Sequence, residues 1–149
     1  MSYSLPEFLA HAIALESEAA ERYQELADMM ETNQNEDVAA VFHEMYRLSC
    51  QHRDSIRQQI GTTLLPRLRS WQYRWRTPPE MDHADAIDRM TEPRSALTYA
   101  RVNEVSAMDY YATVSQESDD PEVRRLANAF ALEEQEHVEA LDRRIGKTR

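Results

Sequence analysis

Apolar residues recur at steps of three and four along four long stretches of the chain, and this spacing places them on one face of an α-helix. We predict four helices, over residues 5–31, 36–60, 94–116 and 121–145. Ser4 and Asp120 precede two of them as N-cap residues, each with a proline in the turn that follows. The two glycines of the chain, Gly61 and Gly146, lie just past two helical stretches, where a left-handed C-cap favours glycine. The pattern is typical of an all-α protein.

The connections between these helices differ in length. The first and third connections take about five residues, which predicts two antiparallel hairpins. The middle connection, residues 62–93, can run the whole length of the bundle, because a helix of about 25 residues is only ~37 Å long. We therefore predict a single domain, residues 1–149, that forms a four-helix bundle of two antiparallel hairpins joined by a long crossover.

The second predicted hairpin repeats the first. An offset of 88 residues aligns the first helix with the third, and an offset of 85 residues aligns the second with the fourth. The aligned polar pairs are Glu16 with Glu104, Tyr23 with Tyr111, and His52 with His137. Because apolar positions match at the same offsets, the bundle is predicted to have a pseudo-two-fold axis.

Ionisable side chains interrupt the apolar faces near the middle of each helix. They are Glu16, His52, Glu104, Glu134 and His137. A buried carboxylate costs several kcal/mol, and neighbouring like charges raise that cost, whereas a divalent metal ion relieves both. Carboxylates with a few imidazoles suit iron or manganese, and Glu-x-x-His spacing directs both side chains to one point. The alternative for Glu134 and His137 is a hydrogen-bonded pair in a slightly wet core.

With these residues the chain resembles the ferritin-like superfamily and, within it, the rubrerythrin-type di-iron proteins. The matching segments are ALESEAAERYQELA, VNEVSAMDYYATV and FALEEQEHVEAL, and the resemblance covers the four helices but not the crossover. The resemblance implies the following roles: terminal carboxylates Glu16 and Glu104, bridging carboxylate Glu134, imidazole ligands His52 and His137, and tyrosines Tyr23 and Tyr111 that hydrogen-bond the carboxylates. We interpret the two tyrosines as core residues rather than redox-active radicals.

The sequence departs from the family pattern on the second helix. Where Glu-x-x-His is expected, residues 49–52 read SCQH, so Ser49 replaces the second bridging carboxylate. A serine hydroxyl could at best hold a water that contacts metal, which leaves one or two metal ions as alternatives. Arg101 lies three residues before Glu104 and could place a guanidinium among the carboxylates instead of a metal ion.

The resemblance implies an iron cofactor, with two Fe or one Fe, and manganese or zinc as alternatives. It further implies an oxidoreductase of ferroxidase or peroxidase type, with Glu134, Glu16 and Glu104 as its catalytic residues. The single cysteine, Cys50, excludes a Cys₄ iron site, so the electron donor would be a separate protein. The alternative is a degenerate, non-catalytic bundle with one or no metal ion that acts in metal carriage or protein–protein interaction.

Charge and composition bear on partners and location. A net charge of −10 argues against nucleic acid as a partner. No apolar run approaches the roughly 18–20 residues of a membrane span, and the first residues lack the pattern of a signal peptide. With one cysteine and no disulfide, we expect a cytoplasmic protein.

Residues outside the apolar faces give further expectations. Arginines alternate with aromatic residues over residues 64–79, and we expect this segment to contact the bundle or a second subunit of a homodimer rather than nucleic acid. Surface positions are expected for His11, His43, His83, Glu133, Glu136 and Glu139.

Overall fold

The computed structural model describes residues 3–68 and 92–148 of the chain. Four helices form this part of the protein: α1 (Leu5–Thr32), α2 (Glu36–Ile60), α3 (Pro93–Glu117) and α4 (Pro121–Lys147). Each predicted boundary lies within two residues of the observed one. Residues 69–91 lie outside the described residues. They include His83 and most of the segment 64–79 in which arginines alternate with aromatic residues.

The helix ends follow from local sequence. The Ser4 hydroxyl accepts a hydrogen bond from the Glu7 amide at 3.3 Å, and the Asp120 carboxylate accepts one from the Glu122 amide at 2.9 Å. Gly61 ends α2 with a φ of 55°, a conformation that favours glycine. Gly146 does not act as a C-cap, because α4 continues through Lys147.

The helices pack as two hairpins, α1 with α2 and α3 with α4, which confirms the predicted four-helix bundle. The apolar core forms two clusters, one toward each end of the bundle. The first includes Met30, Phe42 and Leu97, and the second includes Phe8 and Phe130. The middle of the bundle lies between these clusters. None of the described helices is long and apolar enough to cross a membrane.

His11 is buried, so its predicted surface position is wrong. Its side chain is 1% exposed, and its Nδ1 lies 2.8 Å from the Glu7 carbonyl oxygen. The reason is that Tyr3, just before α1, and Tyr110 on α3 cover the outer side of this helical turn with their rings. His43 is exposed as predicted, and pairs with Glu31 at the surface.

Candidate metal centre

Between the two apolar clusters lies a layer of ionisable side chains, contributed by all four helices. Its members are Glu16 on α1, His52 on α2, Glu104 on α3, and Glu134 and His137 on α4, all at most 8% exposed. Helical periodicity explains this placement, because each residue continues the apolar stripe of its helix near the middle of that helix. The structure therefore brings together all five residues that the sequence singles out as ligands.

The five residues form two groups that share Glu134. In the first group, His52 Nδ1 lies 2.9 Å from Glu16 Oε1 and 3.6 Å from Glu134 Oε1. In the second, His137 Nδ1 lies 3.3 Å from Glu134 Oε2 and 3.6 Å from Glu104 Oε2. The two oxygens of Glu134 thus face different imidazoles. A carboxylate in this position could contact a cation in each of the two groups.

Two buried tyrosines donate hydrogen bonds to Glu104 and Glu16, the carboxylates that the two groups do not share. Tyr23 on α1 donates its hydroxyl to Glu104 Oε1 on α3, and Tyr111 on α3 donates to Glu16 Oε1 on α1 at 3.4 Å. Burial, followed by the nearby carboxylate charges, raises the pKa of both tyrosines well above the ordinary value. Both hydroxyls therefore stay protonated and remain donors. The crossed pairs also follow the pseudo-two-fold relation seen in the sequence.

The carboxylates of the second group have opposite pKa shifts. Burial alone would raise the pKa of Glu104, but hydrogen bonds from Glu134, His137 and Tyr23 outweigh it and lower this pKa to about 2. Burial, and then the charges of Glu104 and Glu16, raise the pKa of Glu134 well above its ordinary value. In the metal-free protein Glu104 is therefore ionised, while Glu134 retains a proton.

The two imidazoles are more basic than usual. Burial alone would lower the pKa of each, but the adjacent carboxylates, Glu16 for His52 and Glu104 for His137, raise it by a larger amount. Ligand nitrogens and oxygens must be free of protons to bind a metal ion. Binding would therefore release protons from the imidazoles and from Glu134.

The donor set fits hard or borderline divalent cations. Three carboxylates and two imidazoles are oxygen and nitrogen donors of the kind that bind iron and manganese, and zinc in some sites. Neither ring nitrogen of His52 has an aligned hydrogen bond, although Glu16 lies close to Nδ1. A buried nitrogen that faces carboxylates without an aligned partner is suited to ligation.

Ser49 lies on the layer but belongs to neither group. Its side chain is 1% exposed on α2, and the offset of 85 residues makes it the counterpart of Glu134. A carboxylate here would provide a second bridge. Among the described residues, Glu134 is the carboxylate that the two groups share, so the centre is asymmetric.

Arg101 does not reach the carboxylates, so the expectation of a guanidinium in the core is wrong. Its side chain is 40% exposed and forms an ion pair with Asp142 on α4. The position lies at the edge of the α3 stripe, and the surface acid is the nearer partner.

Glu133 contacts His52, which the sequence did not predict. Its side chain is 48% exposed, in keeping with a surface residue, but its Oε2 lies 3.1 Å from Nε2 of the buried His52. The sequence offers only a weak signal, namely that Glu133 directly precedes Glu134. It does not reveal that His52 of α2 reaches this flank of α4.

Comparisons with known proteins agree with the fold. The Rubrerythrin family profile matches residues 7–91, which include α2 and all but the first two residues of α1. A crystal structure of an uncharacterized conserved protein from Magnetospirillum magnetotacticum MS-1 is similar with a TM-score of 0.85 and 55% sequence identity. That similarity covers 99% of this chain and 97% of the other. No curated protein matches the chain. The chain therefore belongs to the rubrerythrin family, within the ferritin-like superfamily.

Proposed function

We propose that this protein binds two iron ions, which share Glu134, and that it oxidises Fe(II) or reduces peroxide or O₂ at this centre. The observation that supports the proposal most is the orientation of Glu134, whose two oxygens face two separate groups of ligands. Membership of the rubrerythrin family supports iron as the metal. Bound iron would supply one-electron redox chemistry with O₂ or peroxide.

The residues of the chain have separate tasks in this proposal. Tyr23 and Tyr111 orient Glu104 and Glu16 by hydrogen bonds. Tyr23 donates its hydrogen bond to Oε1 of Glu104, so that Oε2 faces His137. The apolar clusters above and below the layer keep bulk water away from the carboxylates, which strengthens their interaction with a cation. Electrons would come from a separate donor protein.

Peroxide consumption by protein loaded with Fe(II), which supplies the electrons that peroxide reduction needs, tests the activity. The wild type should consume peroxide faster than Glu134→Gln, which keeps the size of the side chain but loses its charge, while Glu136→Gln, an exposed change on the same helix, should behave as wild type. If the iron-loaded wild type and Glu134→Gln consumed peroxide at equal rates, the proposed activity would be wrong.

Ser49 favours a second candidate, a non-catalytic metal carrier. With one shared carboxylate instead of two, the centre could hold a single ion, bound and released without redox turnover. This candidate predicts one metal ion per chain and a rate of peroxide consumption no higher than that of Glu134→Gln.

A further inference from the structure

We propose that Phe130 is a positioning residue for one of the two metal positions, the one beside Glu16 and His52. It sets the affinity of that position and leaves the position beside Glu104 and His137 unaffected. The effect on a metal ion rests on the proposed function. The ring contacts that lead to it do not, because they are present in the metal-free protein.

The ring of Phe130 packs against two side chains of the same ligand group. Its centroid lies 4.7 Å from that of His52, with an angle of 76° between the rings, and 5.4 Å from that of Tyr111, with an angle of 73°. Aromatic rings favour such edge-to-face contacts. Tyr111 in turn donates a hydrogen bond to Glu16 at 3.4 Å. One apolar side chain therefore contacts the imidazole directly and reaches the carboxylate through a tyrosine.

The orientation of the His52 ring decides whether it presents a nitrogen to the metal position. The last side-chain torsion of histidine is broad and roughly two-fold, and a half-turn about it exchanges a nitrogen for a carbon. In the observed orientation Nδ1 lies 2.9 Å from Glu16 and 3.6 Å from Glu134. Because a half-turn has to move the imidazole past the ring of Phe130, packing holds the nitrogen toward the carboxylates before an ion binds. A ligand held in this way loses less conformational freedom on binding.

Phe130 is itself held in place by a contact between the two hairpins. It is 5% exposed on α4, and Phe8 on α1 stacks with it, with ring centroids 5.8 Å apart and an angle of 18° between the rings. Phe8 is fully buried and also packs against Tyr111, at 6.1 Å. The rings on α1, α3 and α4 thus support one another, and His52 of α2 packs against this cluster.

The pseudo-two-fold relation places no ring at the equivalent point of the other group. The offset of 85 residues pairs Phe130 with Met45, which is 3% exposed. Methionine has three rotatable bonds and adapts its shape more easily than a ring does. Over residues 3–68 and 92–148, no aromatic ring packs against His137, whose side chain is 11% exposed compared with 2% for His52. A change at position 130 should therefore affect one metal position selectively.

The first measurement uses the metal-free protein. Phe130→Met copies the residue at the equivalent position and keeps the site apolar, and the control Phe42→Met makes the same change in the other apolar cluster, at a ring that stacks with Tyr23. NMR relaxation of ¹³C-labelled imidazoles measures how rigidly each ring is held. The order parameter of the His52 ring should fall in Phe130→Met and stay unchanged in Phe42→Met, and that of the His137 ring should stay unchanged in Phe130→Met.

The second measurement compares the two metal positions within one crystal. In crystals equilibrated with limiting Fe²⁺ without oxygen, the ratio of the two anomalous iron peaks reports the relative affinity of the positions. Phe130→Met should lower the peak beside His52 relative to the peak beside His137 by about two- to tenfold, which corresponds to the loss of one edge-to-face ring pair. Phe42→Met should not lower this ratio.

Two results would overturn the proposal. One is an unchanged order parameter of the His52 ring in Phe130→Met. The other is an equal loss of both iron peaks in that variant, which is the effect of a residue that only stabilises the fold. A wild type without iron in this layer, together with a loosened His52 ring in Phe130→Met, would refute the proposed function and leave the positioning role supported.

Discussion

Glu134 holds the central place in the layer because each of its oxygens faces a different imidazole. The pKa values of Glu134 and its neighbour Glu104 shift in opposite directions: burial, and then the charges of Glu104 and Glu16, raise that of Glu134, while hydrogen bonds lower that of Glu104. In the metal-free protein, protons therefore offset part of the negative charge that metal ions would neutralise. Changes to single residues should reveal these interactions.

The Tyr23–Glu104 hydrogen bond gives a first prediction. Tyr23→Phe removes the donor to a buried, ionised carboxylate, and a hydrogen bond to a charged group contributes about 1.5–3 kcal/mol. We expect the free energy of unfolding of the metal-free protein to fall by about that amount in urea titrations. Tyr111→Phe removes a longer bond, 3.4 Å, and should cost less. Equal stability of Tyr23→Phe and wild type would contradict the assigned bond.

The raised pKa of Glu134 predicts how stability depends on pH. A group whose pKa is higher in the folded than in the unfolded protein stabilises the fold fully below the unfolded value, and that contribution is lost as pH rises through the folded value. The imidazoles of His52 and His137 have raised pKa values and act in the same direction. The metal-free protein should therefore lose stability in urea unfolding as pH rises above 4.5, the ordinary pKa of the Glu134 carboxyl, and again above 6.5, the ordinary pKa of the imidazoles. Glu134→Gln, which cannot ionise, should show a weaker dependence, and a dependence as steep as that of wild type would argue against the assignment.

At the scale of the helices, two features can be tested by substitution: the residues that cap a helix and Ser49 on α2. The N-cap of α4 can be tested directly. Asp120→Ala removes the acceptor for the Glu122 and Val123 amides and should cost about 1 kcal/mol in the free energy of unfolding. Asp119→Ala, an exposed change in the same turn, is the control and should be nearly neutral.

Ser49 on α2 allows the second bridge to be restored. Ser49→Glu adds a fourth buried acid to the layer, so it should destabilise the metal-free protein by a few kcal/mol, an order-of-magnitude figure for an unpaired buried carboxylate. Fe²⁺ should recover that loss and raise the thermal midpoint more than it does in wild type. Ser49→Gln, of similar volume but without charge, should gain nothing from Fe²⁺. Equal gains in the two variants would show that position 49 does not face the metal ions.

At the scale of the whole molecule, the sequence predicts the bundle and the level of its polar layer well. Periodicity fixes the middle of each apolar stripe, and the internal repeat aligns Glu16 with Glu104 and His52 with His137. The errors fall at the edges of the stripes. Arg101 and Glu133 lie there, and small rotations of a helix about its axis decide whether such a side chain meets the core, a neighbour or solvent. Periodicity does not determine those rotations.

The error at His11, which is buried, has a different cause. Its position on α1 predicts solvent exposure, but the rings of Tyr3 and Tyr110 cover it. Both tyrosines lie outside α1. The amphipathic pattern of α1 contains neither the path of the residues before the helix nor the packing of α3 against it, so it does not predict these contacts.

Anomalous diffraction at the iron edge, from crystals of the protein grown with Fe²⁺ in the absence of oxygen, tests the central claim most directly. We predict two anomalous peaks per chain, one beside Glu16 and His52 and the other beside Glu104 and His137, with Glu134 between them. In crystals of Glu134→Gln at least one peak should weaken or disappear. A single peak in the wild type would favour the one-metal carrier, and the absence of any peak in this layer would contradict the proposed metal centre.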